Sequence, residues 1–119
     1  MNLTLHVTTA CQLRCSYCYV RPDRLRHGEM SAATARAAID FAARRSPDHC
    51  GVVFFGGEPL LCRDLIRETV AYCRWRQQAG GPAFHFKVTT NGVALDDEFL
   101  DFAVTEDVFV AISLDGVPE

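Results

Sequence analysis

Four short segments with strand character alternate along this chain with three of helical character, and that alternation limits the fold more than any other feature of the sequence. From Asn2 to Thr9, Leu3, Leu5 and Val7 alternate with Thr4, His6 and Thr8, the period-two pattern of a strand with two unlike faces. Ser31 is placed to cap a helix whose Ala35, Ala38, Ile39 and Ala42 share one face, with Asp40 and Arg44 paired on the other and Pro47 closing the segment. Gly51 to Phe55 is a short apolar run that reads as a strand buried on both faces, and it ends in Gly56-Gly57-Glu58-Pro59.

A second helix is expected from about Leu60 to Gln78, with Leu65, Ile66, Thr69 and Cys73 as its stripe and Gly80-Gly81-Pro82 as its stop. The third strand, about Phe84 to Thr90, sets Phe84, Phe86 and Val88 against His85, Lys87 and Thr89 and runs into Asn91-Gly92. Asp96 or Asp97 caps a short helix through Ala103, and Val108 to Leu114 supplies a fourth strand before Asp115-Gly116. Strands separated by helices of this length pair in parallel through right-handed crossovers. The expectation is an α/β fold of about four parallel strands and three helices, forming an open arc or small sheet. Both exposed edges of such an arc carry unpaired backbone groups, so an isolated chain is expected to be poorly soluble or associated.

A length of 119 residues suits one domain and excludes a second. No apolar run is long enough to span a membrane, and no basic segment precedes an apolar one at the amino terminus, so a cytoplasmic location without membrane attachment is expected. A net charge of -3 offers no basic field for a polyanion, so nucleic acid is not expected as a partner.

Six cysteines are many for a chain without an export signal, which turns attention from disulfides to metal or redox chemistry. Cys11-Gln-Leu-Arg-Cys15-Ser-Tyr-Cys18 follows the first strand at its carboxyl end, where parallel α/β folds place ligands. Three thiolates in eight residues can converge on one inorganic centre. A 4Fe-4S cube takes four ligands, so three thiolates leave one iron open to a non-protein ligand. Zinc, a redox pair formed by Cys15 and Cys18, and coincidence are the alternatives. Zinc wants a second cysteine pair, and Cys50, Cys62 and Cys73 are isolated in sequence. Coincidence is disfavoured, because two further cysteines at fixed offsets from any of six arise with a chance on the order of 1 to 2%. Cys62 and Cys73 lie ~16 Å apart along one helix and cannot bridge, so both read as buried small hydrophobes, while Cys50 has no assigned role. His6 reads as a hydrogen-bonded core residue rather than a ligand. Arg21, Arg24 and Arg26 form a solvated segment or steer an anionic partner.

The cysteine spacing, with the aromatic Tyr17 just before the third cysteine, resembles that of the radical S-adenosylmethionine (radical SAM) enzymes. Gly56-Gly57-Glu58-Pro59, Thr90-Asn91-Gly92 and Ser113-Leu114-Asp115-Gly116, at successive strand ends, are similar to those of the branch that contains anaerobic sulfatase-maturating enzymes and peptide maturases with a SPASM domain. The resemblance implies a partial radical SAM (β/α) barrel. Residues 1–119 would form the N-terminal part of the core domain, with the later strands and any SPASM domain absent from them.

It further implies that Cys11, Cys15 and Cys18 ligate a 4Fe-4S cluster and that S-adenosylmethionine (SAM) chelates the open iron. Gly56, Gly57 and Glu58 match positions at the methionine end of SAM, Tyr17 a position near the adenine, Ser113 a hydrogen-bonding position and Asn91 a site-facing one. For Asn91 and Asp115, ordinary turn residues are an equal alternative. The implied reaction is reductive cleavage of SAM to a 5'-deoxyadenosyl radical that abstracts hydrogen from a peptide or protein, with a ferredoxin or flavodoxin as electron donor. The alternatives are a small-molecule substrate in cofactor biosynthesis, or an inactive cluster-binding or thiol-redox fragment.

Overall fold

The computed structural model of the protein describes residues 2–8 and 30–113. In chain order these form β1 (Asn2–Thr8), α1 (Ala32–Arg45), β2 (His49–Gly56), a 3-10 turn (Pro59–Cys62), α2 (Arg63–Gln78), β3 (Ala83–Thr90), α3 (Asp97–Glu106) and β4 (Val108–Ile112). The strands lie in one sheet in the order β1-β2-β3-β4, and every neighbouring pair is parallel. Parallel strands laid down in sequence order by right-handed crossovers carry all their helices on one face, which is the winding of a barrel wall rather than of a sheet covered on both sides.

Burial follows that winding. Leu5, Val7, Cys50, Val52, Phe54, Phe84, Phe86, Val88 and Val108 form the apolar side of the sheet, and they share one core with Ala35, Ile39, Ala42, Leu65, Ile66, Val70, Phe99 and Ala103 of the helices. Each large side chain removed from water here contributes on the order of 2 kcal/mol. The opposite side carries Thr4, His6, Val53, Phe55, His85, Lys87, Thr89 and Phe109, each exposed or half-buried. The expectation that the second strand is buried on both faces therefore fails. Gly51, Val53 and Phe55 alternate with buried Cys50, Val52 and Phe54, because none of the described helices covers their side. His6 is likewise no core residue; it is exposed and meets the Phe55 ring edge-on at 5.3 Å.

The helix boundaries have local causes. Ser31 caps α1 by accepting a hydrogen bond from the Thr34 amide at 3.1 Å, and Asp96 caps α3 by accepting from the Phe99 amide at 2.9 Å. The second helix does not run unbroken from Leu60. Pro59 and the Glu58 side chain, which accepts from the Leu60 amide, set a tight 3-10 turn, and α2 starts only at Arg63. The third helix continues past Ala103 to Glu106 and ends at Asp107, whose left-handed backbone turns the chain directly into β4. Asp40 does not rely on its own helix. It accepts from Tyr72 Oη at 2.5 Å and from Arg76 at 2.9 Å, which fastens α1 to α2.

Candidate functional site

All four strands point the same way, so Thr8, Gly56, Thr90 and Ile112 end on one rim of the sheet. The Cys11–Cys18 segment and Tyr17 lie outside the described residues, but the described residues on either side of them meet at this rim. β1 ends at Thr8, and the chain returns at Met30, whose amide donates to the Val7 carbonyl at 2.8 Å.

Gly56 and Gly57 form the neighbouring turn. Gly56 has φ +133, a backbone conformation that L side chains rarely adopt, and a β-carbon there would overlap the carbonyl oxygen of Thr8. The amide of Gly57 donates to that same oxygen at 2.8 Å. The close approach that the two glycines permit is thus, first of all, an approach to the end of β1.

Glu58 is fully buried. Its Oε2 accepts from the Leu60 amide at 3.0 Å and from Thr90 Oγ1 at 2.5 Å, and its Oε1 accepts from the Asn91 amide at 2.8 Å. The carboxylate is therefore turned inward, toward the end of β3. Thr90 Oγ1 also accepts from the Gly92 amide at 3.1 Å, and the Thr90 carbonyl accepts from the Ser113 amide at 2.8 Å. Asn91 Oδ1 accepts from the Val93 amide at 2.9 Å, the local turn bond expected of Asn, and Ser113 is exposed at the end of β4. One hydrogen-bonded chain thus crosses all four strand ends, from Thr8 through Gly57, Glu58 and Thr90 to Ser113.

The sequence placed Gly56, Gly57, Glu58, Asn91 and Ser113 on this rim, and the structure brings them together there. Thr90, the hinge of the chain of bonds, stood in a strand-end motif of the sequence without being given a role, and Thr8 was missed. For Thr90 the available signal was strand parity, which puts its side chain opposite Lys87 and Thr89 and therefore on the buried side, where a hydroxyl needs a partner.

The remaining thiols are elsewhere. Cys50, Cys62 and Cys73 are all buried and unbridged. Burial pushes the Cys73 thiol up from 9.0 to about 12, and burial also raises that of Cys50, whose Sγ faces the Ser46 carbonyl at 3.6 Å. Neutral buried thiols are poor metal ligands. Among the described residues no cluster of His, Cys, Asp and Glu has the makings of a metal site, and no helix is long and apolar enough to cross a membrane. A set of three thiols, as the sequence supplies in Cys11, Cys15 and Cys18, suits an iron-sulfur cluster with one open iron better than a closed four-ligand zinc site.

A parallel β/α sheet with its strands in chain order and a glycine turn at the rim where β1 ends defines an α/β fold of the barrel-wall class. Residues 5–119 match the model of the Radical SAM superfamily, and the chain belongs to that family. Members of the family use a 4Fe-4S cluster and SAM.

Among similar proteins is an uncharacterised protein of Methanocaldococcus jannaschii, 31% identical over 116 residues that make up 98% of this chain and 39% of that one. A cysteine-type anaerobic sulfatase-maturating enzyme of Clostridium novyi is 27% identical over 92% of this chain and 30% of its own length. A probable GTP 3',8-cyclase of Methanopyrus kandleri is 32% identical over 98% and 34%. The fold matches that of native anSMEcpe, solved with bound AdoMet, at a TM-score of 0.84 and 22% identity, over 98% of this chain and 32% of that one. The chain thus spans between 30% and 39% of the length of these relatives.

Proposed function

We propose that this chain is the N-terminal part of the core of a radical SAM enzyme that modifies a peptide or protein. In this reading Cys11, Cys15 and Cys18 hold a 4Fe-4S cluster. SAM lies against the Gly56-Gly57 turn that Glu58 follows, with Tyr17, Asn91 and Ser113 contributing. When bound, the cluster and SAM supply one-electron cleavage of a sulfonium to methionine and a 5'-deoxyadenosyl radical, which takes a hydrogen atom from the substrate.

The chain's own residues do the positioning. The Thr8–Gly57 bond holds the end of β1 beside the glycine turn, and the bond chain through Thr90 fixes the other two strand ends relative to it. The single observation that carries the reading is the end of β1: Thr8 is bonded to Gly57 of the glycine turn and Val7 to Met30, so the described residues on either side of the three-thiol sequence meet beside Gly56 and Gly57. A ferredoxin or flavodoxin is the class of electron donor that the chemistry requires.

The sulfatase-maturating relative favours a polypeptide substrate. A second reading, a small-molecule substrate in cofactor biosynthesis, is favoured by the GTP 3',8-cyclase relative at 32% identity. Anaerobic reconstitution of the chain with iron and sulfide tests the common part. Near four irons per chain, with an electron paramagnetic resonance signal that changes on adding SAM, is the expected result. Stoichiometric zinc, or iron that ignores SAM, overturns the assignment, as does full iron retention by Cys15→Ala.

A further inference from the structure

Glu58 is a fully buried carboxylate, and all three of its described hydrogen-bond donors belong to the protein. Two of them, Thr90 Oγ1 at the end of β3 and the Asn91 amide just past it, come from a different strand end than the one that delivers Glu58. A charge-assisted hydrogen bond is about twice as strong as a neutral one, and an orphaned buried donor costs about 1–3 kcal/mol. The Glu58 carboxylate therefore fixes the spacing between the glycine turn and the end of β3. Through the Thr90 carbonyl and Ser113, and through Gly57 and Thr8, that spacing extends to β4 and β1.

We propose that Glu58 is a positioning residue. It acts on SAM through Thr90 and Asn91, by holding the two backbone rims at a fixed separation, and not by direct contact with the ligand. The inference rests on the rim being the SAM site.

The chemistry of the pocket sets the test. Glu58→Gln replaces one acceptor oxygen by a donor NH2. With that group at the Oε1 position it opposes the Asn91 amide; at the Oε2 position it opposes the Leu60 amide. Either way one backbone N–H loses its partner. Thr90→Val keeps the shape and removes only the hydroxyl, and Thr90→Ser restores it.

Two readouts are taken on wild type, Glu58→Gln, Thr90→Val, the double variant and Thr90→Ser. Amide hydrogen exchange on the metal-free chain is expected to speed up at least ~10-fold at Asn91 or Leu60 in Glu58→Gln and at Asn91 in Thr90→Val, and to stay near wild type in Thr90→Ser. On the reconstituted protein, the SAM concentration giving the half-maximal spectral change is expected to rise about 10-fold in each of the first two variants. It should rise no further in the double variant and return in Thr90→Ser, while the form of the SAM-induced signal is unchanged.

Weakened SAM binding in Glu58→Gln with Thr90→Val unaffected overturns the inference in favour of direct contact, as does additive loss in the double variant. Unchanged exchange at Asn91 in Thr90→Val also overturns it, even if Glu58→Gln does not fold. A wild-type protein that assembles a cluster but never responds to SAM overturns the assignment of the site itself. The exchange arm still decides whether Glu58 ties the two strand ends.

Discussion

The carbonyl oxygen of Thr8 receives the amide of Gly57 at 2.8 Å and at the same time lies where a β-carbon on Gly56 would have to be. One backbone atom thus makes Gly56 obligatory and ties the end of β1 to the glycine turn. Gly56→Ala is expected to destabilise the protein by about 2–4 kcal/mol, combining backbone strain at positive φ with a backbone clash. Gly80→Ala, also at positive φ but with open space around it, should cost less. Urea unfolding of the two variants side by side checks the order. Equal losses would mean that the contact with Thr8 contributes nothing.

Much of this was readable from period and spacing alone. The alternation in β3 and the stripe of Leu65, Ile66, Thr69 and Cys73 on α2 predicted their buried sides, and these are the residues the core contains. Two things escaped. The β2 run Val52-Val53-Phe54-Phe55 is apolar at every position, so its periodicity was silent about which side the helices take. The destination of a polar side chain was equally hidden. Asp40 had Arg44 four residues away, yet it pairs with Tyr72 and Arg76 on α2, and Glu58 turns toward Thr90 more than thirty residues on. Such partners are chosen by helix docking and strand order, which no local window contains.

Tyr72→Phe removes the hydroxyl that Asp40 receives and is expected to lower stability by about 1 kcal/mol. The hydrogen bond to Asp40, helped by burial, holds the Tyr72 phenol above its ordinary value of 10.0. The proton is thus bound more tightly in the folded state. The contribution is complete below pH 10 and is lost as pH rises through the folded value. Asp40→Asn should remove this alkaline dependence, read as the difference in urea midpoints between pH 8 and pH 11.

Asp96 behaves in the opposite sense. Its hydrogen bond from the Phe99 amide, and next its bond from Arg63 at 3.0 Å, hold the carboxyl below its ordinary value of 3.8. The stabilisation is present above that value and is lost as pH falls through the folded one. Asp96→Asn keeps a capping oxygen and should be the milder change, whereas Asp96→Ala loses both the cap and the Arg63 partner. Circular dichroism melts at pH 7 should rank them in that order, and the gap between wild type and Asp96→Asn should narrow below pH 4.

Cys73 lies fully buried between α2 and the sheet, and burial raises its thiol from 9.0 to about 12. In the unfolded chain the thiol ionises near 9.0; in the folded one it stays protonated over roughly three further pH units. Between those values the folded state binds the extra proton, so stability falls as pH rises from about 9 toward 12, by at most ~4 kcal/mol. Cys73→Ala should flatten that decline while costing some packing at neutral pH. The same burial removes the thiolate that reagents attack. With Cys50 and Cys62 also buried, a thiol reagent at pH 8 should modify no more than three of the six cysteines of the metal-free folded protein quickly. Denaturant should release the rest. Rapid labelling of Cys73 in the native protein, located by peptide mass, would show that α2 opens from the sheet far more readily than its packing implies.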